Sequence, residues 1–253
     1  VVCIMVDEVH QAKADVLKKL LTGSFRNVPI RWGLTGTIPK ADHERLSLEV
    51  GLGEVVHQLA ASELQDQGVL AQCQVNILQL QDDLNYGNYQ SELTYLTTDR
   101  NRLDYMSEII SRMSESGNTL VLVDRIKAGE GLLERLGEET VFISGKMKTQ
   151  DRKDEYDEVS DANNKIIIAT YGVAAVGINI PRIFNLVLIE PGKSFVRVIQ
   201  SIGRGIRKAQ DKDHVQIWDV TSSAKFSKRH LTERKKYYKE ANYPFHVEKV
   251  NYK

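Results

Sequence analysis

Cysteine is scarce in this sequence, and the scarcity excludes two ways of stabilising a fold. Cys3 and Cys73 are the two cysteines in 253 residues. They lie far apart and in no metal-ligand spacing, and no His-Glu-x-x-His segment occurs. The pattern therefore favours free thiols over a disulfide framework or a zinc site. Free thiols are typical of a reducing cytoplasm, which is where we expect the protein to be.

Long apolar runs are also lacking. The longest candidate, residues 166–180, is interrupted by Thr170, Gly172, Gly177 and Asn179, whereas a membrane span needs about 18 uninterrupted apolar residues. The apolar start of the chain has no basic residues before it and continues directly into acids, which is unlike a signal peptide. We therefore expect no membrane partner.

The chain has no excess of charge of either sign. Lys plus Arg and Asp plus Glu each number 34, which gives a formal net charge of zero at pH 7. No global electrostatic field marks the chain as a nucleic-acid binder, so any such surface has to be local.

The last absence concerns nucleotide chemistry. No Gly-x-x-x-x-Gly-Lys-[Ser/Thr] loop, the segment that holds nucleotide phosphates in many NTPases, occurs in the sequence. The first residue is Val1 rather than Met, and the opening segment already resembles a strand. We therefore expect the chain to begin in the middle of a domain.

The apolar segments that are present predict an α/β fold. Candidate strands are continuous apolar runs, which are typical of parallel sheets covered by helices on both faces. Helix-like stretches separate most of them, so we expect an open sheet with functional groups at the C-terminal ends of its strands. The predicted strands are Val1–Val6, Thr119–Val123, Val141–Ser144, Lys165–Thr170, Asn185–Ile189 and His214–Val220. The predicted helices are Arg102–Ser114, Ile126–Leu136, Thr149–Val159 and Val196–Arg207.

The length suits one large domain or two of moderate size. We place a boundary that divides the chain into residues 1–71 and 72–253, with a basic tail from about residue 222. Residues 72–80 alternate polar and apolar and predict a strand that could cross between the domains. Residues 81–95 are polar and predict a linker or a surface helix.

Two acids follow the first apolar run. Asp7 and Glu8 come directly after Val1–Val6, and a carboxylate at the end of a buried strand can hold Mg²⁺ beside a nucleotide. The neighbouring Glu8 can orient and deprotonate an attacking water. The alternative is an acidic helix start that complements the helix dipole, and His10 taken alone is an ordinary surface histidine.

Two further segments suit phosphate chemistry, each with a structural alternative. Leu34 to Thr37 places two hydroxyls close to the backbone, or is a junction between a strand and a turn. Thr170 to Pro181 contains two glycines whose neighbouring amides can approach a phosphate, or whose small size packs a helix tightly on a sheet.

The segment Gln200 to Arg207 carries Arg204 and Arg207 one helical turn apart, which suits binding of nucleotide phosphates. The alternative is an amphipathic helix with a solvated basic face. Gly203 and Gly205 favour close approach of a ligand, because each costs a helix about 1 kcal/mol relative to Ala.

In this order and spacing, the segments resemble the motifs of superfamily 2 helicases, most of all bacteriophage recombination and repair helicases. The resemblance covers nearly the whole chain, and restriction translocases are more distant. It implies two RecA-like domains, the first one truncated, with ATP bound between them. The segments similar to motifs II to VI are, in order, Asp7–His10, Leu34–Thr37, Thr119–Arg125, Thr170–Pro181 and Gln200–Arg207.

The resemblance also implies roles for individual residues. Asp7 would hold Mg²⁺, and Glu8 would activate water. His10, with Thr35 and Thr37, would couple the nucleotide state to domain movement.

The remaining roles fall on the second domain. Gln200, Arg204 and Arg207 would reach the γ-phosphate, with Arg207 as the arginine finger. Gly177 and Asn179 would lie at the nucleotide, although many relatives have an acid where Asn179 stands. Nucleic-acid contacts would fall on Arg125, Gly145 and Thr170.

The C-terminal residues give separate support for nucleic-acid binding. Residues 222–253 contain nine Lys or Arg and three Glu, a net charge of +6. Tyr237, Tyr238 and Tyr243 interleave with them, so this segment can contact phosphates and stack on bases. The alternative is a solvated helix packed on the second domain. The lysines that we expect to contact DNA, on one helical face near Tyr238, are Lys235, Lys236 and Lys239.

These features together predict the C-terminal portion of an ATP-dependent superfamily 2 DNA helicase or translocase. Its cofactors would be ATP and Mg²⁺, and its partner branched or forked DNA in recombination, repair or replication in a bacterial or phage-infected cell. Single-strand-binding or recombination proteins are further candidate partners. Two alternatives stay open: a non-enzymatic nucleic-acid-binding module that lacks the nucleotide loop, and a duplex translocase of a restriction or remodelling machine.

Overall fold

A computed structural model of the chain describes residues 1–11, 14–39, 42–137, 140–145, 158, 162–177, 180 and 182–253. The chain divides into two compact units, Val1–Leu59 and Ala60–Lys253. Residues 60–71, which the sequence assigned to the first domain, lie in the second unit. Two contacts distant in sequence join this segment to the second unit: the backbone N–H of Ala71 donates to the carbonyl of Ile206 at 2.8 Å, and Leu70 forms a β-bridge with Arg207.

The first unit is built on two parallel strands. Strand β1 pairs with β2 from Cys3 opposite Ile30 to Val6 opposite Gly33. The sequence predicted a buried first strand, and that prediction is wrong for this structure, because Met5 and Trp32 are 64% and 53% exposed. A two-stranded sheet lacks the flanking strands and helices that bury both faces of a parallel sheet. The elements are β1 (Cys3–Val6), α1 (Ala14–Lys19), β2 (Ile30–Gly33) and α2 (Asp42–Leu52).

The second unit is built on a seven-stranded sheet in the order β5-β6-β4-β7-β8-β3-β9. Every neighbouring pair in it is parallel, which confirms the predicted α/β class. The strands are β3 (Gln72–Leu80), β4 (Thr119–Val123), β5 (Thr140–Ile143), β6 (Ile166–Thr170), β7 (Asn185–Ile189), β8 (His214–Ser222) and β9 (Phe245–Val250). The helices are α3 (Ala61–Asp66), α4 (Tyr89–Thr98), α5 (Arg100–Ser114), α6 (Ile126–Leu136), α7 (Tyr171–Gly177), α8 (Phe195–Gly205) and α9 (Lys225–Glu240).

Helices cover both faces of this sheet. In β4, Leu120 and Leu122 join a core with α7, α8 and α9, whereas Val121 and Val123 join a second core with α5 and α6. Successive side chains of a strand point to opposite faces, so two such cores require every central strand to be apolar throughout. Because all neighbouring strands are parallel, the C-termini of the seven strands lie at one edge of this sheet.

One prediction about connecting segments is corrected: strand β3 does not cross between units but lies between β8 and β9. For residues 81–95, predicted as a linker or a surface helix, the structure shows a helix in part, because α4 begins at Tyr89 and buries Leu93 and Leu96. The predicted helix Thr149–Val159 lies outside the described residues, apart from position 158. No helix of the described ranges is long and apolar enough to cross a membrane.

Candidate nucleotide and nucleic-acid site

The acidic segment of the first unit has an unusual backbone. Glu8 has φ of 48°, a left-handed conformation that is rare for a residue with a side chain. Hydrogen bonds on both sides hold it, from Leu34 N–H to the Val6 carbonyl at 2.8 Å and from Val9 N–H to the Leu34 carbonyl at 3.1 Å. Asp7 accepts the Glu8 N–H at 2.8 Å through Oδ1. Strained backbone of this kind is concentrated at functional sites.

Strand pairing brings His10 to the threonines predicted with it. His10 Nδ1 lies 2.6 Å from Thr35 Oγ1. Thr35 Oγ1 donates to the Thr37 carbonyl at 2.8 Å and accepts the Thr37 N–H at 3.2 Å. Because the Thr35 hydroxyl proton is thereby used, we assign the proton of this contact to His10 Nδ1. The three residues form one hydrogen-bonded chain.

Two polar atoms beside this chain are left unsatisfied. Glu8 Oε2 and Thr37 Oγ1 are buried and have no hydrogen-bond partner in the described part of the protein. Glu8 Oε2 is 3.4 Å from His10 Nδ1, an ion-pair distance if the ring is protonated. We give this contact little weight because Nδ1 already donates to Thr35. A buried carboxylate oxygen without a donor is costly, so it fits a site that a ligand or water completes.

The acidic segment after β1 fits Mg²⁺ only if nucleotide phosphates and water supply most of the ligands of the cation. No group of three or more His, Cys, Asp or Glu side chains able to hold a metal occurs among the described residues. Mg²⁺ is commonly held by one or two carboxylates together with substrate phosphates and water. The exposed carboxylate of Asp7 meets that requirement.

The Gln200–Arg207 segment forms α8, but the helix ends at Gly205 and leaves Arg207 beyond it. The predicted helical spacing of the two arginines is therefore wrong at its C-terminal end. Arg207 forms a β-bridge with Leu70, and the buried Lys212 ammonium donates to the Arg207 carbonyl at 2.8 Å and to that of Gly205. Burial lowers the pKa of Lys212 to about 7, against the opposing effect of Asp211.

The two glycines of α8 occupy different environments. A Cβ on Gly205 would lie 3.1 Å from Leu186 Cδ2, so this glycine packs the helix against β7. A Cβ on Gly203 would meet no atom within 4 Å. Packing does not explain Gly203. The prediction that a ligand approaches closely is therefore kept for Gly203 and dropped for Gly205. Gln200 and Arg207 are half-buried, and the side chain of Arg204 lies outside the described residues.

Three of the other predicted positions lie at the C-terminal edge of the seven-stranded sheet: Thr170 ends β6, Gly145 follows β5 and Arg125 follows β4. Gly177 lies at the far end of α7, and Asn179 lies outside the described residues. The Arg125 guanidinium donates to Thr94 Oγ1 and Gln90 Oε1, both at 2.6 Å. The structure thus brings Arg125, Gly145 and Thr170 to one edge and ties Arg125 to α4.

The basic tail is a packed helix and strand, and one interpretation of it is wrong. Tyr238 is fully buried, and its hydroxyl donates to Asp219 Oδ2 at 2.7 Å, so it cannot stack on a base. Tyr243 is 3% exposed. Arg234, counted with the basic surface, is also fully buried. Composition could not separate Arg234 and Tyr238 from the surface lysines, because all of them occur on α9.

Lys235, Lys236 and Lys239 remain candidates for DNA contact. Lys239 is exposed and Lys235 is half-buried. Lys236 donates to Glu233 Oε1 at 2.9 Å in an exposed pair.

A buried ionic network beside this edge was missed by the sequence. Arg102 donates to Asp82 Oδ2 and, at 3.2 Å, to Glu190 Oε1, and Ser227 donates to Glu190. Burial raises the pKa of Glu190 to about 7, although Arg102 opposes the shift. The network joins the ends of β3 and β7 to α5 and α9. The sequence did contain a signal for this network, because Asp82 and Glu190 each follow an apolar run, as Asp7 does.

Comparison with known proteins shows which class of protein the chain resembles. Residues 101–209 match the family described as helicase conserved C-terminal domain. This match, with the relatives below, confirms the predicted resemblance to superfamily 2 helicases.

Individual relatives agree with this class. The ATP-dependent DNA helicase uvsW of Enterobacteria phage T4 is 24% identical over 244 residues, which cover 92% of this chain and 48% of the relative. The crystal structure of T4 UvsW matches 100% of this chain and 54% of its own length, with a TM-score of 0.63 and 20% identity. The ATP-dependent Type ISP restriction-modification enzyme LlaBIII bound to DNA matches 98% of this chain and 22% of its own, with a TM-score of 0.66 and 16% identity. These likenesses confirm the RecA-like fold, and the chain spans about half the length of T4 UvsW.

Proposed function

We propose that the chain is the C-terminal portion of an ATP-dependent superfamily 2 DNA helicase or translocase that acts on branched DNA in recombination, repair or replication. The match of residues 101–209 to the helicase C-terminal domain family supports the class. The name of the T4 relative supports ATP and DNA, and the DNA-bound restriction enzyme supports DNA. A cytoplasmic location in a bacterial or phage-infected cell belongs to the same proposal.

The observation that carries the proposal is the cluster formed by Glu8 and His10, which follow β1, and Thr35, which follows β2. A buried carboxylate oxygen without a donor lies next to a histidine whose ring is held by Thr35. Such an oxygen is suited to accept a proton from water, which is the role of a general base. The hydrogen bonds of Leu34 with Val6 and Val9 hold the backbone of this acid beside the end of β2. His10, Thr35 and Thr37 form a hydrogen-bonded chain next to it.

Mg²⁺-ATP, when bound, supplies the phosphoryl group and neutralises charge on its oxygens. Asp7 would hold the cation, and Gln200, Arg204 and Arg207 would contact phosphate oxygens. Arg207 is suited to this role because a guanidinium presents several donors to one phosphate group. Its backbone is held by Leu70 and Lys212, which limits the positions that its side chain can reach.

The proposal is tested with Glu8→Gln in the full-length protein. The amide keeps the shape of the side chain but cannot take a proton, so ATP binding should persist while DNA-stimulated hydrolysis is lost. Glu44→Gln is the matched control, because Glu44 is an exposed acid on α2. Retention of most of the hydrolysis rate in Glu8→Gln would remove the general-base assignment.

Arg207→Ala tests the assignment of Arg207 to the nucleotide phosphates. Hydrolysis should fall about 10³-fold or more, the scale of arginine fingers, while DNA affinity without nucleotide changes little. A large loss of nucleotide-free DNA binding with normal hydrolysis would reassign this arginine to the nucleic acid. Without a phosphate-binding loop, we expect the 253 residues alone to hydrolyse ATP negligibly.

A further inference from the structure

A groove in the second unit lies outside all of the motif segments. It runs between the loop that follows β7, the start of α4 and one side of α9, and has a volume of about 1000 Å³. Cations and aromatic rings line it: Tyr89, Lys193, Phe226, Arg229, His230 and Tyr237. We call it the α9 groove.

The periodicity of α9 explains why these side chains share one side. The buried stripe of the helix is Ser227, Leu231, Arg234 and Tyr238. Most groove residues on the helix precede a member of that stripe by one position and so lie on a neighbouring face. Arg229 and Thr232 precede one by two positions. Lys235 and Lys239 follow members of the buried stripe by one position and lie on the other side of it. The helix therefore presents two separate basic surfaces.

The groove is positively charged. Lys193 and Arg229 are exposed, and no carboxylate lies within ion-pair distance of either among the described residues. Glu233, the acid that lines the groove, is paired with Lys236. Burial, with the added effect of the nearby cations Arg234, Lys193 and Arg229, lowers the pKa of His230 to about 4. The ring is therefore neutral at pH 7, and the two cations remain available to an anion.

The aromatic rings form one contiguous cluster along the groove. Tyr89 meets His230 edge-on, with centroids 4.7 Å apart, and lies 6.4 Å from the ring of Phe226. The Tyr237 hydroxyl donates to the Lys193 carbonyl at 3.2 Å, which ties the loop to the helix. Aromatic faces beside a cationic track are the common components of single-strand binding sites, because every base has a face that can stack.

We infer that the α9 groove binds single-stranded nucleic acid, with phosphates at Lys193 and Arg229 and a base against the ring cluster around Tyr89. The inference rests on the proposed function, because it assigns a DNA strand to a surface of the same motor domain. An acidic peptide would satisfy the cations but would leave the ring cluster without a planar partner.

The test measures binding of a fluorescein-labelled oligothymidylate to the full-length protein by anisotropy over a series of salt concentrations. Lys193→Ala/Arg229→Ala should flatten the slope of log affinity against log salt by about 1.4, since each contact to a single-strand phosphate contributes about 0.7. The matched control is Lys18→Ala/Lys19→Ala, which removes the same charge from exposed positions at the end of α1 and should leave the slope parallel to that of the unmodified protein.

Tyr89→Leu tests the ring cluster separately. It should lower affinity about 5- to 150-fold, the range for loss of one stacked base, with little change in the salt slope. A bromouracil-substituted oligonucleotide should form its photo-crosslinks with peptides that contain Tyr89 or Tyr237. Circular dichroism and thermal melting of each variant establish that the fold is intact.

Two outcomes would overturn the inference. If Lys193→Ala/Arg229→Ala gives a slope parallel to that of the unmodified protein while Lys235→Ala/Lys239→Ala flattens it, the strand follows the face of α9 that carries Lys235. If crosslinks map outside the groove, the ring cluster does not stack bases. DNA-stimulated ATP hydrolysis that persists with either result leaves the proposed function standing, whereas a full-length protein that neither binds DNA nor responds to it contradicts both.

Discussion

The buried pair of Arg234 and Asp219 should be among the largest single contributions to the stability of the second unit. Arg234 donates to both Asp219 oxygens, at 2.8 and 2.9 Å, and to the Gly192 carbonyl at 2.7 Å. Both side chains are at most 1% exposed. Arg234→Met keeps an apolar stem of similar length but removes all three bonds, and leaves the Tyr238 hydroxyl as a remaining donor to a buried Asp219.

Breaking a buried ion pair by removing one partner costs about 3–5 kcal/mol, because the other charge remains buried without compensation. This loss is a large part of the free energy of unfolding of a typical domain, which is roughly 5–15 kcal/mol. For a unit of this size, the expected fall in melting temperature is about 6–20 °C, at roughly 2–4 °C per kcal/mol. Adding Asp219→Asn should recover part of the loss, because it removes the uncompensated charge.

Urea denaturation followed by Trp218 fluorescence measures this loss, since Trp218 precedes Asp219 in β8. A Trp32→Phe background removes the signal of the first unit, because the chain has two tryptophans. Arg112→Met is the matched control: Arg112 also pairs with an acid, Glu108, but the side chains are 71% and 56% exposed. Exposed pairs of this kind contribute about 0.3–0.5 kcal/mol. Equal losses in Arg234→Met and Arg112→Met would refute the reasoning.

Two further predictions concern α8 and Glu190. Gly203→Ala should raise the free energy of unfolding by up to about 1 kcal/mol, because its Cβ would enter open space, yet should slow ATP hydrolysis in the full-length protein if a ligand approaches there. Gly205→Ala should show no such gain in urea denaturation, because its Cβ would lie 3.1 Å from Leu186. A raised pKa means that folded Glu190 holds its proton more tightly than the unfolded chain does, so its contribution is favourable below its ordinary pKa of 4.5 and is lost as pH rises through about 7. Glu190→Gln should therefore flatten the fall in stability between about pH 4.5 and 7, and parallel pH profiles of the two proteins would contradict the assignment.

Strands and helices were predictable where the signal is local. Strands β4 and β7 are continuous apolar runs bounded by polar residues, and both were predicted to the residue, as was α6. Strand β9 was not predicted. It lies at an edge of the sheet, and its sequence, Phe245–Val250, contains polar residues that resemble the charged tail around it. Its identity as a strand depends on pairing with β3, about 170 residues earlier in the chain.

The motif residues were predictable in order, but not in their contacts. The sequence itself determined that Asp7, Glu8 and His10 follow one strand and that Thr35 follows another. The parallel pairing of β1 with β2 then brings His10 within 2.6 Å of Thr35 Oγ1 and leaves Glu8 Oε2 without a donor. Hydrogen bonding between residues 25 positions apart depends on register, which a local pattern does not contain.

The basic tail separates the two kinds of information most clearly. Composition determined that Arg234, Tyr238 and the neighbouring lysines are present at helical spacing. Only the tertiary structure decided that Arg234 and Tyr238 point into the core, because Asp219 of β8 supplies the buried acceptor that satisfies both. Basic residues occur on several faces of α9, so its own sequence does not show which face is buried. The buried face is the one that packs against β8, where Asp219 lies.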